Sequence, residues 1–266
     1  MSVTNAPSSD YVQSMARGLA VIKAFDVSHQ RQTLSDVARR TDLTRATARR
    51  FLLTLVELGY VRTDGSLFWL SPRVLDLGYS YLSSMSLPEL AEPHLDVLSK
   101  QVSESSSVSV LDGDDIVYVA RVAVSRIMTV SITIGTRFPA AATSMGRVLL
   151  AGLPDADLDD FLRRVQLPRL TSRSIHTPDA LRTELDRVRR EGCCVVDQEL
   201  EAGLRSMAAP IRDRAGAVVA AVNISTQAAR YSLEEVWDQL VPAVRAAAAA
   251  ISHDLARTER RRSHAG

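Results

Sequence analysis

Apolar positions recur at helical spacing near the start of the chain. Met15, Leu19, Ile22 and either Val21 or Phe25 fall on one side of a helix over about Gln13–Phe25. A polar stretch, 26–32, separates it from "LSDVARRTDLTRATARRFLLTLVELGYV", Leu34 to Val61. Leu34, Val37 and Ala38 mark the inner side of a first short helix. Asp42-Leu43 makes a turn with Leu43 buried, and Thr44 caps a second helix. The inner face of that helix is Ala48, Phe51, Leu52 and Leu55, at i, i+3, i+4 and i+7. After Gly59 the period shortens. Residues 60–70 are β-formers on both sides of Asp64-Gly65, a strong hairpin-turn pair. Ser71 and Pro72 then open a further helix with Val74, Leu75, Tyr79 and Leu82 at helical spacing.

The remainder alternates strand-like and helix-like text. Another helix runs from Glu89 to about Ser103. Two β-rich runs over 106–124 flank an Asp/Gly turn, and Ile127–Gly135 is a third strand. Residues 143–153 and 155–165 read as helices. Thr177-Pro178 opens another, closed by Gly192. Strands return at Cys193–Asp197, Ser206–Arg212 and Ala217–Ser225. A long C-terminal helix starts at Ser232 and Glu235, which have capping-box spacing. The resulting division is 1–10 disordered, 11–73, a linker helix 74–87, a larger domain 88–256 and a basic tail 257–266.

Composition narrows the function classes. Net charge is +1 over 266 residues, so no global attraction to polyanions is implied. Between Arg31 and Arg73, however, eight arginines face four acids, a local excess of +4. No apolar run reaches membrane-spanning length, and the first ten residues lack a secretory pattern, which places the protein in the cytoplasm. Cys193 and Cys194 are adjacent in an apolar strand and read as core residues of a reducing compartment. The five histidines lack ligand spacing, so no metal and no cofactor is expected. No Gly-x-Ser-x-Gly elbow or phosphate loop appears, and Asp112–Asp115 is a turn, so the chain is not read as an enzyme.

The second short helix leaves Arg45, Thr47, Arg49 and Arg50 outward near its N-terminus. A helix-turn-helix presents that region to the DNA major groove, where Arg suits a guanine edge and Thr a base or a phosphate. Ser35 and Thr44 join this set, and Arg62 on the hairpin can meet the backbone as a wing. Helix, helix-turn-helix and hairpin in this order predict a winged helix. The competing reading is a protein–protein docking and dimerisation module, whose binding would be insensitive to salt.

"YVQSMARGLAVIKAF" followed by "LSDVARRTDLTRATARRFLLTLVELGYV" resembles the DNA-binding domain of IclR-type transcriptional regulators. "VVDQELEAGLRSMAAPIRDRAGAVVAAVNIS" resembles their effector domain, especially in the subgroup controlling aromatic-acid and β-ketoadipate catabolism. The resemblance covers about Tyr11 to Leu255. It implies an α+β protein: a winged helix-turn-helix joined by a linker helix to a GAF-like, antiparallel-sheet α/β effector domain. It also implies a homodimer or dimer of dimers on palindromic double-stranded operator DNA. The implied effector is a small organic acid such as 3-oxoadipate or protocatechuate. By motif, Ser144, Met145 and Gly146 correspond to the loop-to-helix element beside the ligand. Ser206 stands where some relatives have cysteine, and Asn223 departs from a usual serine, with Ser225 two residues on. Arg205 could grip a carboxylate bidentately; the alternatives are a structural ion pair with Glu199 or Glu201, or an outward-facing edge arginine. Arg137 and Arg147 are further candidates, and Ser206 and Ser225 suit structural hydrogen bonds as well as ligand contact.

Overall fold

A computed structural model describes residues 11–78, 87–124 and 132–263. The chain divides into two compact units, Met1–Ser84 and Met85–Gly266.

The first unit holds α1 (Gln13–Lys23), β1 (Gln32–Thr33), α2 (Leu34–Arg40), α3 (Arg45–Glu57), β2 (Val61–Thr63) and β3 (Leu67–Leu70). The strands form a small antiparallel sheet in the order β1-β3-β2. Local chemistry sets the boundaries. Thr33 and Asp36 form a reciprocal capping box on α2, and the Thr44 hydroxyl accepts from the Thr47 amide to start α3. Asp42 turns the chain between them at φ 52°, a left-handed conformation that Asp tolerates better than most residues. Asp64 accepts from the Ser66 and Leu67 amides and closes the hairpin. Val21, Phe25, Val37, Leu52, Leu55, Val61 and Phe68 make the core, with Leu43 only half-buried against it.

The expected face of α1 needs correction. The helix ends at Lys23, and it buries Val21 with Ala24 and Phe25 just beyond it. Met15 and Leu19 point outward at 64% and 43% exposure, beside exposed Tyr11 and Val12. Periodicity identified an apolar face, but the core of this unit covers only its C-terminal part. After β3, Ser71 caps a short 3-10 turn, Pro72–Val74, and the chain is helical at 75–78. The rest of the expected linker helix lies outside the described residues.

The second unit holds α4 (Leu87–Val102), β4 (Ser106–Asp112), β5 (Asp115–Val122), β6 (Arg137–Pro139), α5 (Ser144–Ala151), α6 (Asp155–Arg164), α7 (Pro178–Glu191), β7 (Cys194–Asp197), β8 (Leu204–Arg212), β9 (Val218–Gln227), α8 (Leu233–Glu235) and α9 (Val241–Ser263). Its six strands are antiparallel in the order β6-β5-β4-β9-β8-β7. Residues alternate between the faces of each strand. Val108, Met207, Ala209, Ile211, Val222 and Ile224 pack under α4 and α9. Ile116, Tyr118, Cys194, Ala208 and Ala221 face α5, α6 and α7.

The expected strand at Ile127–Gly135 falls partly outside the described residues. Its described end, from Ile132, is not a strand; the chain pairs at Arg137–Pro139 instead. β8 begins at Leu204, two residues before the expected Ser206, and β9 runs two residues past Ser225. Both cysteines are free and buried. Burial pushes the Cys194 thiol up to about 12, which suits an inert core position.

Gly146 lets α5 sit on the preceding turn. A Cβ there would lie 2.0 Å from the Ala140 carbonyl oxygen and 2.3 Å from its Cα. Both are backbone atoms, so the turn itself must move. Gly146→Ala is expected to destabilise this unit by about 1–3 kcal/mol. Thermal unfolding checks this, and an unchanged transition would contradict the close approach.

Candidate functional site

On the first unit, the N-terminal half of α3 carries Arg45, Arg49 and Arg50, all exposed. Among the described residues none of their three guanidinium groups has an ion-pair or hydrogen-bond partner, and neither does that of exposed Arg62 on β2. Their neighbours differ. Arg39 is tied to Asp36, Arg40 to Asp26 and the Ala24 carbonyl, and Arg73 to the Leu58 carbonyl. Arg31 lies over the Trp69 ring at 4.3 Å. The basic segment therefore sorts into arginines that hold the unit together and arginines with free guanidinium groups. Thr44 and Thr47 share a hydroxyl–hydroxyl hydrogen bond of 2.9 Å at the helix start. Ser35 is exposed at the start of α2.

On the second unit, the sheet face toward α5 carries an unusual set of polar groups. Strand register places Arg121, Ser107, Asn223 and Ala208 side by side across β5, β4, β9 and β8. Ser225 and Ser206 are paired one step along, on the same face. The Asn223 amide donates to Ser225 Oγ at 3.2 Å. Ser109 donates to the sulfur of Met145 on α5, also at 3.2 Å. Ser144, at the first position of α5, has its hydroxyl buried with no hydrogen-bond partner among the described residues. A buried hydroxyl left unpaired costs free energy unless something else supplies a partner.

Of the residues singled out by sequence, Ser144, Met145, Gly146, Ser206, Asn223 and Ser225 thus belong to this face and the helix packed on it. Met145 is a core side chain, and Gly146 acts through the close approach described above.

Arg205 is separated from them. It alternates with Ser206 and shares the opposite face with Met207 and Ala209. Its Nε donates to Asp197 at 2.7 Å and its Nη1 to the Tyr231 carbonyl. Burial works against the ionised Asp197 carboxylate, yet Arg205 holds it below its ordinary value. The ion-pair partner is Asp197, neither of the expected glutamates.

Arg147 is also committed. Its two terminal nitrogens donate to both Glu199 oxygens at 2.8 and 2.6 Å, and its Nε to the Ala141 carbonyl at 2.9 Å. Arg137 is exposed and bound to Asp112 and Asp115.

Sequence reasoning missed Arg121. It is half-buried, and among the described residues its one hydrogen-bond partner is the Ser107 hydroxyl at 3.2 Å. Burial lowers its tendency to hold a proton, with Tyr118 working the other way. A charge at an inward-alternating position of an apolar strand was the available signal. A separate cleft of about 300 Å³ opens at the far end of α5, lined by Val148, Gly152, Val188 and Val218 among others. Its Arg189 is spent on the Ala151 and Leu153 carbonyls and on Asp155.

These two features can be set against known proteins. Residues 14–65 match the IclR helix-turn-helix domain, and residues 79–253 match the bacterial transcriptional regulator IclR C-terminal domain. The chain belongs to the IclR family. It is similar to the Pca regulon regulatory protein of Pseudomonas putida, 45% identical with 92% of this chain and 85% of that protein covered. A solved transcriptional regulator from Rhodococcus sp. RHA1 is 68% identical with a TM-score of 0.85, covering 93% of this chain and 100% of that one. An IclR homologue from Microbacterium hydrocarbonoxydans, solved with 4-hydroxybenzoate, is 28% identical with a TM-score of 0.80, covering 91% and 98%.

As an IclR-family member the chain is a DNA-binding transcriptional regulator and not an enzyme. Its folds are the family's helix-turn-helix and antiparallel-sheet effector domain. Among the described residues no helix is long and apolar enough to cross a membrane, and no group of three metal-ligating side chains occurs.

Proposed function

We propose that this IclR-family regulator reads a palindromic operator through Arg45, Arg49 and Arg50, with Thr44, Thr47 and Ser35 assisting and Arg62 on the wing. The observation that carries the reading is that these arginines are exposed and uncommitted among the described residues, while Arg39 and Arg40 are neutralised by aspartates and Arg73 is tied to a backbone carbonyl. One winged helix covers few base pairs, so a two-fold dimer, or a dimer of dimers, is the geometric expectation. The apolar stripe of Tyr11, Val12, Met15 and Leu19 supports it as a surface for a second copy to cover. Both activities belong in the cytoplasm, where operator DNA lies.

The effector is a small organic acid held against the α5 face of the sheet, and the regulated genes serve aromatic-acid or β-ketoadipate catabolism. The orphaned Ser144 hydroxyl and the row of Ser and Asn side chains opposite α5 support a polar ligand. The Pca regulon name of one relative and the 4-hydroxybenzoate bound to another support the class. 3-Oxoadipate, protocatechuate and 4-hydroxybenzoate are the compounds to try first. Binding alters regulation only if the acid's affinity differs between DNA-competent and DNA-incompetent arrangements; the spacing of the two recognition helices is the natural variable.

Arg45→Ala and Arg50→Ala should each lower operator affinity, by about 1–3 kcal/mol where the contact is a bidentate pair with a base. Arg62→Ala should weaken all sequences alike and reduce the salt slope by about 1. Quantitative binding to promoter DNA at several salt concentrations reads both. Unchanged affinity in both Arg45→Ala and Arg50→Ala would overturn this reading face.

A further inference from the structure

Buried or half-buried arginines in the effector unit are consistently neutralised. Arg147 holds Glu199, Arg182 holds Asp159, Arg187 holds Glu184 and Glu191, and Arg205 holds Asp197. Arg121 breaks the pattern. It stands near the end of β5 on the α5 face, half-buried; among the described residues its one hydrogen bond goes to the neutral Ser107 hydroxyl, Tyr118 is its other neighbour, and it has no carboxylate partner. A charge drawn out of water without a counter-charge is costly, and a ligand that brings a carboxylate removes that cost. The setting favours such a ligand. Ser107 is already oriented on the guanidinium, and the register line continues to Asn223, two strand spacings or roughly 10 Å away. The Ser225 and Ser206 hydroxyls sit beyond it on the same face, half-buried.

We propose that Arg121, steadied by Ser107, pairs with a carboxylate of the effector, while Asn223, Ser206 and Ser225 meet polar groups at the far end of the ligand. This rests on the reading that the α5 face is the effector site. A planar guanidinium offers a carboxylate two parallel hydrogen bonds, which a lysine cannot copy. Arg121 therefore takes the place that sequence spacing suggested for Arg205, on the opposite face of the sheet.

The test separates charge recognition from structure. Full-length protein, Arg121→Gln and Arg121→Lys are titrated calorimetrically with 4-hydroxybenzoate, with the uncharged 4-hydroxybenzamide, and with 3-oxoadipate. The wild type should bind an acid, and Arg121→Gln should weaken that acid about 10- to 100-fold. It should leave the amide unchanged, and Arg121→Lys should restore part of the loss. Because Arg121 has no counter-charge in the free protein, the Gln variant should melt no lower than wild type.

Sensitivity confined to 3-oxoadipate would uphold the carboxylate pairing and make the ligand an aliphatic diacid; sensitivity confined to 4-hydroxybenzoate would make it aromatic. Equal weakening of acid and amide, or a lowered melting temperature, would mean a structural arginine and overturn the proposal. Acid binding unaffected by Arg121→Gln would overturn it while leaving the effector site standing. A wild type that binds none of the acids, with protocatechuate titrated alongside them, would overturn both.

Discussion

Arg147→Met should destabilise the effector unit by about 3–5 kcal/mol, the usual cost of removing one partner from a buried ion pair. Arg147 is 1% exposed, and Met roughly preserves its unbranched shape. Burial by itself opposes the charged guanidinium, but Glu199, through two hydrogen bonds and its charge, raises its pKa above the ordinary arginine value. The substitution strands the Glu199 carboxylate, which keeps only the Ile175 amide, and it frees the Ala141 carbonyl beside the α5 turn. Glu184 suffers less, because Arg187 still grips both its oxygens. The double variant Arg147→Met/Glu199→Leu should recover most of the loss, since the pair is removed together. Trp69 and Trp237 fall in different units, so in a Trp69→Phe background fluorescence reports the effector unit alone. Equal stability of the single variant and the parent would show that the pair does not hold this unit.

Leu52→Ala should cost the DNA-binding unit about 2–5 kcal/mol. Leu52 is fully buried on α3 and belongs to the core formed with Val21, Val37, Leu55 and Phe68. A unit this small buries a limited apolar area, so a loss of that size is a large part of its stability. Operator binding should fall with the folded fraction, although Leu52 points away from the arginine face. Leu53, next in sequence and 40% exposed, is the internal control: Leu53→Ala should change little. Denaturation followed at Trp69 in a Trp237→Phe background reads both. Similar costs at positions 52 and 53 would mean that the helix is turned differently from the one described.

The legible parts of this protein are those set by local chemistry. Thr44, the Asp64-Gly65 turn, Thr177-Pro178 and the Ser232–Glu235 box each fix a boundary within a few residues, and the structure puts the corresponding elements there. The outward set on α3 was legible for the same reason, because 3.6-residue periodicity separates its faces. Facing relations were harder. An amphipathic stripe says which side of α1 is apolar, but not how far the core reaches, so Met15 and Leu19 were misplaced. "GLRSMAAPI" was read as one motif, yet in a strand adjacent residues point to opposite faces, which divides Arg205 from Ser206. Arg121 gained meaning only from its register with Ser107 and Asn223, which lies in strand pairing and not in spacing along the chain.

The most direct test of the central account is binding of the purified protein to DNA containing the promoter it regulates. Affinity is measured at two salt concentrations, with and without 4-hydroxybenzoate, protocatechuate and 3-oxoadipate. A reader of DNA through uncommitted arginines should bind specifically and lose affinity steeply as salt rises, because each phosphate contact releases counterions. One acid should shift that affinity at fixed salt. Absence of specific binding, or binding indifferent to both salt and every acid, would contradict the account.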